Sequence, residues 1–126
     1  MKPTTSWKHF ERRIAAVFGL KRRGADYGDR SGGKSDAVNL DGSESAHWSL
    51  EMKLHKRIGY QLLLDACRQA EAAAKPGQEP VVVAKLPHIA DGNALVVQRL
   101  ETYREWRLST QGDERAVIEV REGEGE

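Results

Sequence analysis

The chain has 126 residues, 31% charged and 39% hydrophobic, with a net charge of +1. That is enough for one domain with a real core and too little for two. No apolar run approaches a membrane span, Lys2 and Lys8 are not followed by the apolar core of a secretory leader, and the single cysteine, Cys67, excludes an internal disulfide and a cysteine-rich zinc site. An intracellular, cytoplasmic protein is the expectation.

The near-neutral total hides an asymmetry. Residues 1–75 carry 14 Lys/Arg against 9 Asp/Glu, and residues 76–126 carry 6 against 10. The basic part holds Lys8, Arg12, Arg13, Lys21, Arg22, Arg23, Arg30, Lys34, Lys56 and Arg57. Such clustering suits a polyanion on one side of the domain, which makes these ten the candidate nucleic-acid contacts.

In chain order, Thr5 or Ser6 can cap a helix from about Trp7 to Gly19, with Trp7, Phe10, Ile14, Val17 and Phe18 at helical spacing. Glu11 falls inside that stripe, where an ionised carboxylate is costly to leave unpaired. It is either the edge of the stripe or a functional group facing inward. The basic triplet Lys21-Arg22-Arg23 comes next, and the glycine-rich, polar stretch from Gly24 to Lys34 after it reads as a mobile loop.

Ser35 to Leu40 reads as a strand, Asp41-Gly42 as a turn, and His47 to Leu54 as the return strand of a hairpin. Alternation in the return strand puts Trp48, Leu50, Met52 and Leu54 on one face and His47, Ser49, Glu51 and Lys53 on the other. A helix is expected from about Gly59 to Lys75, ended by Pro76-Gly77. Pro80 to Leu86 and Ala94 to Val97 read as strands buried on both faces. A short helix over Leu100 to Trp106, an edge strand at Ala116 to Val120 and a disordered Glu/Gly tail from Glu122 to Glu126 complete the chain. Residues 1–121 form one domain, a mixed α/β sheet with helices on both faces.

The chemistry centres on Glu51-Met52-Lys53. The tripeptide pattern alone arises about once per chain of this length by chance. Here Asp36 opens the preceding strand, so Asp36 and Glu51 can converge at one end of the hairpin. Two carboxylates, a backbone carbonyl and waters suit Mg²⁺, and Glu11 could come in from the first helix as a further ligand. A metal so held polarises a phosphate oxygen and acidifies a bound water, and Lys53 can orient that water. This is equipment for phosphodiester hydrolysis.

A helix with Glu11, then Ser35-Asp36, Glu51-Met52-Lys53 and a helix carrying Gln69-Ala70-Glu71 resembles the PD-(D/E)XK nuclease superfamily. Within it, the chain is most similar to archaeal-type and phage Holliday-junction resolvases, over roughly residues 7–106. The resemblance implies a restriction-endonuclease-like αβββαβ core, a DNA endonuclease using Mg²⁺, with Mn²⁺ as its substitute, and catalytic roles for Glu11, Asp36, Glu51 and Lys53. It extends to Ser31 in the basic loop Arg30-Ser31-Gly32-Gly33 and, more loosely, to Gln69. It also implies branched double-stranded DNA as partner and a homodimer, since two symmetric nicks need two sites. Ser35 stands where the family name implies a proline.

The plainer readings are an exposed cross-strand charge pair for Glu51 and Lys53, a strand-capping acid for Asp36, an edge residue pairing with a neighbouring base for Glu11, a polar helix residue for Gln69, and a serine that serves the flexibility of a glycine-rich loop for Ser31. The four histidines lack ligand spacing, Cys67 reads as core, and Gly32-Gly33-Lys34-Ser35 lacks the strand and spacing of a phosphate loop, so no zinc and no nucleotide cofactor are expected. The alternatives are a nuclease or nickase for another DNA structure, such as a flap, fork or duplex, and a DNA-binding module without catalysis.

Overall fold

The computed structural model describes residues 3–24 and 34–108, the side chains of residues 3–6 excepted. Arg30, Ser31, the strand expected at 116–120 and the acidic tail lie outside the described residues.

Helix α1 spans Pro3–Val17. It starts earlier than the Thr5 or Ser6 cap would place it, because Pro3 already has the fixed φ of a first helical position. It ends in a Schellman turn: Leu20 N–H donates to the Ala15 carbonyl at 2.9 Å and Gly19 N–H to that of Ala16 at 3.0 Å. Gly19 supplies the left-handed residue this turn requires, at φ 74°. The buried side of α1 holds Phe10, Glu11, Ile14 and Ala15, with Phe18 packed against it, while Val17 is exposed. The stripe is thus rotated from the expected one, and Glu11 lies in its middle.

Strand β1 is Lys21–Arg22 and β2 is Ala37–Val38, paired antiparallel as a two-residue ribbon. The basic triplet thus opens with a short strand, and β2 is much shorter than the strand expected over 35–40. The Asp41-Gly42 turn forms as expected: Gly42 N–H donates to Asn39, Asn39 N–H to Ser43, and Gly42 has φ 90°.

Strands β3, Trp48–Leu54, and β4, Glu79–Lys85, pair in parallel from Trp48↔Glu79 to Leu54↔Lys85. The crossover between them is α2, Tyr60–Ala73. Strand β5, Leu95–Val97, pairs antiparallel with the other side of β4, giving a mixed sheet in the order β3-β4-β5. Up to β4 the elements follow the order α-β-β-β-α-β.

The core has two halves, one on each face of this sheet. Phe10, Ile14, Ala15 and Leu20 meet Leu50, Met52, Val81 and Val83 on the α1 side. Ala66, Cys67 and Ala70 of α2 meet Val82 and Ala84 on the other. Covered from both sides, β4 is buried along its whole length, as its apolar run predicts. The same prediction fails for β5, whose Leu95 and Val96 are 63% and 67% exposed. It is the edge strand, and composition alone does not distinguish an edge from a centre.

Helix α3, Leu100–Tyr103, continues as a π-helical turn over Arg104–Leu108. Arg99 fastens its start by a two-pronged bond to Glu71 of α2, at 2.8 and 2.9 Å. Arg107 fastens its end to Glu79 of β4 at 2.7 Å. No helix among the described residues is long and apolar enough to cross a membrane.

Candidate active site

Alternation along β3 is as the sequence predicts: Leu50 and Met52 enter the α1-side core, while the Ser49 hydroxyl donates to the Ala70 carbonyl of α2 at 2.7 Å. Glu51 and Lys53 follow Ser49 on that face. The Lys53 ammonium stands 3.2 Å from Glu51 Oε2. The pair is far from exposed, with Glu51 only 9% accessible. An ordinary surface pair would be wet on both sides; this one, two residues apart on one strand, sits in a partly dried setting, where the lower effective dielectric strengthens the attraction.

Asp36 is fixed to the edge of β3, on the backbone of the two residues either side of Glu51. Odd-numbered residues of β3 bond to β4, as Glu79 N–H to the His47 carbonyl and His55 N–H to the Lys85 carbonyl show. Even-numbered backbone groups therefore point the other way, toward β2. Asp36 N–H donates to the Leu50 carbonyl at 2.8 Å, and Met52 N–H donates to Asp36 Oδ2 at 2.8 Å. A carboxylate oxygen thus takes the place of the next ladder carbonyl. This explains why β2 and β3 do not continue as a regular hairpin, and it fixes Asp36 against the two residues that flank Glu51. Asp36 is 6% exposed.

Both carboxylates belong to hard oxygen donors. Among the described residues no three Asp, Glu, His or Cys side chains form a group that could hold an ion, so the donor set is not an all-protein cage. Two carboxylates fit Mg²⁺ or Mn²⁺, because Mg²⁺ is commonly held by one or two carboxylates and completes its octahedron with waters and substrate phosphate.

The other expected members fare differently. Glu11 is 1% exposed on α1, which covers the Leu50 and Met52 face, and it receives Arg22 Nε at 2.7 Å. The structure does not group it with Asp36 and Glu51 as a third ligand; an inward-facing acid at this position is matched by a cation brought in on β1. Arg22 also lies 5.2 Å from the centre of the Trp7 ring. Gln69 is exposed on α2, whose inward positions in this turn are Ala66, Cys67 and Ala70. The bond from Ser49 to Ala70 fixes that register, and it turns Gln69 to solvent.

The basic set divides the same way. Lys8, Arg12, Lys34, Lys56 and Arg57 are exposed and Lys21 is half-buried. Arg13 is bound in a fork to Asp91, at 2.6 and 3.1 Å. Arg22 holds Glu11. Arg23 is 2% exposed and points inward, donating to the Ser35 carbonyl at 2.6 Å and to both Glu44 oxygens at 2.6 and 2.8 Å. At that burial, with Nε and Nη2 engaged inside the fold, Arg23 is not presented to a phosphate. The hydrogen bond from Arg23 also holds the Glu44 carboxyl below its ordinary range. No local signal marks this pair, since its members stand 21 residues apart. A cleft of about 560 Å³ beside Glu71, Arg99 and Trp106 contains none of the candidate residues.

The chain matches no protein-family model, no curated protein and no solved structure.

Proposed function

We propose that the protein is a Mg²⁺-dependent, structure-selective DNA endonuclease whose site is built from Asp36, Glu51 and Lys53, and that its substrate is a four-way junction cut by a homodimer. One observation carries the reading: the Asp36 carboxylate is pinned to Met52 N–H, beside a buried Glu51 that faces Lys53 at 3.2 Å. A surface charge pair needs no second buried acid fixed to its own backbone. A metal-dependent phosphodiester site commonly uses such a pair of acids. The element order α-β-β-β-α-β supports the same reading.

Asp36 and Glu51 would hold the ion, which when bound supplies electrostatic stabilisation of the phosphate and a more acidic water. Lys53 donates hydrogen bonds toward the attacking water and stabilises charge as it develops on the phosphate oxygens. The burial of Glu51 keeps that ammonium oriented. Exposed Lys8, Arg12, Lys34, Lys56 and Arg57 bind phosphates, so recognition rests on backbone position and DNA shape more than on base edges.

The test is incubation with labelled four-way junction, flap and plain duplex, with Mg²⁺ and with chelator. Paired symmetric nicks confined to the junction are expected. Equal cutting of all three substrates contradicts the junction assignment, and binding without cutting contradicts the nuclease assignment in favour of a binding module.

A further inference from the structure

Asp36 lies where the β1–β2 ladder, which pairs Arg22 with Ala37, meets the edge of β3, and the direction of its side chain depends on its backbone. Three groups fix that backbone. The Ser35–Asp36 peptide gives its N–H to the Leu50 carbonyl, and its carbonyl accepts Arg23 Nε at 2.6 Å. The carbonyl of Asp36 itself accepts the backbone N–H of Arg23 at 2.8 Å. The Ser35 hydroxyl lies 3.4 Å from Arg23 Nη2 and donates to the Ala37 carbonyl at 3.0 Å. One residue thus holds the peptide before Asp36 and the peptide after it.

The guanidinium is itself anchored. Both oxygens of Glu44 accept from Nη2, and the Glu44 backbone carbonyl accepts from Asn39 Nδ2 at 3.0 Å. This ties the brace to the turn that joins β2 to β3. A buried guanidinium without a carboxylate would be costly, and here the carboxylate is supplied from the outer side of the bend.

We infer that Arg23, anchored by Glu44, is the positioning residue for the Asp36 carboxylate: it aims the acid at Met52 N–H and at the place beside Glu51, without touching DNA. The catalytic consequence rests on the nuclease reading, whereas the aiming itself is a property of the fold. Lysine cannot replace the fork, because a single ammonium does not span the Ser35 carbonyl and two Glu44 oxygens in fixed geometry.

The test uses the full chain carrying Arg23→Lys or Glu44→Gln. Hydrogen exchange of the Met52 amide is measured against the amides of β4, together with kcat, junction affinity and Mg²⁺ binding by calorimetry. Partners that orient a metal-holding carboxylate typically matter by about 10–100-fold. Both variants are therefore expected to exchange the Met52 amide at least about tenfold faster, with β4 unchanged, and to lose about 10–100-fold in kcat and Mg²⁺ affinity with junction affinity retained. An unchanged Met52 amide in both variants overturns the inference. So does a selective loss of junction affinity in Arg23→Lys, or tighter junction binding with normal kcat in Glu44→Gln, since either marks Arg23 as a DNA contact. If the unmodified protein cuts no DNA the nuclease reading fails, and the Met52 amide still decides the brace.

Discussion

Glu11 and Arg22 form an ion pair with side chains only 1% and 13% exposed, and its energetics follow from that burial. Removing one partner of such a pair leaves an uncompensated charge inside the protein, which typically destabilises by about 3–5 kcal/mol. Arg22→Leu is therefore expected to lower the urea stability by about 3 kcal/mol. Adding Glu11→Met to it should recover part of the loss, a coupling read from the double-mutant cycle. Strictly additive losses would show that the two do not act as a pair. Glu11 is visible in the sequence as an acid inside an apolar stripe. Its partner is not, because Arg22 reaches it through the chain reversal at Gly19 and no helical spacing connects the two.

At the level of elements, the short connection between β3 and α2 presents Lys56 and Arg57 to solvent directly after Lys53, whereas Arg13 of α1 is occupied by Asp91. Charges that contact phosphate release counterions, and each such contact contributes about one unit to the salt slope of binding. Lys56→Ala and Arg57→Ala should each reduce the slope of log K against log salt by about one, and Arg13→Ala should leave it unchanged. A slope that falls with Arg13→Ala would place α1's Arg13 on the DNA instead. The sequence lists all three residues as equals, since a count of basic residues carries no information on which are already neutralised.

Asp91 also joins elements. It binds Arg13 of α1, and its Oδ1 lies 3.0 Å from the ammonium of Lys85 at the end of β4. Lys85 donates as well to the Ile89 carbonyl and lies 5.6 Å from the centre of the Phe10 ring. The hydrogen bond from Arg13, then that from Lys85, lowers the Asp91 carboxyl from 3.8 to about 2. A carboxyl depressed in the folded state stabilises it above the unfolded value and loses that contribution as pH falls. Stability should therefore decline between about pH 4 and about pH 2, and Asp91→Asn should flatten that part of the curve. An unaltered profile in the variant would show that other carboxyls dominate acid unfolding.

At the level of the whole molecule, the alternating and continuous apolar patterns of β3 and β4 were legible because each has a core half to enter. The α1 half takes Leu50, Met52, Val81 and Val83, and the α2 half takes Val82 and Ala84. The candidate residues on β3 are legible for the same reason, as period-two alternation forces Glu51 and Lys53 onto one face. What escaped were features decided by distant contacts. Strand β1 is two charged residues held by pairing to β2 and by Glu11. Strand β5 is apolar yet exposed, because its place at the sheet edge depends on strand order. Gln69 faces solvent because α2 turns Ala66, Cys67 and Ala70 inward, a rotation that the sequence spacing alone does not set.

Buried Glu51, facing Lys53 with Asp36 bonded to the next residue, is proposed to do chemistry rather than hold charge on a surface. Glu51→Gln keeps the size of the side chain and removes only the carboxylate. Junction binding and Mg²⁺-dependent cleavage are measured side by side for this variant and the unmodified protein. Retained binding with cleavage lost is the predicted result; cleavage at the unmodified rate would remove Glu51 from the site and contradict the account.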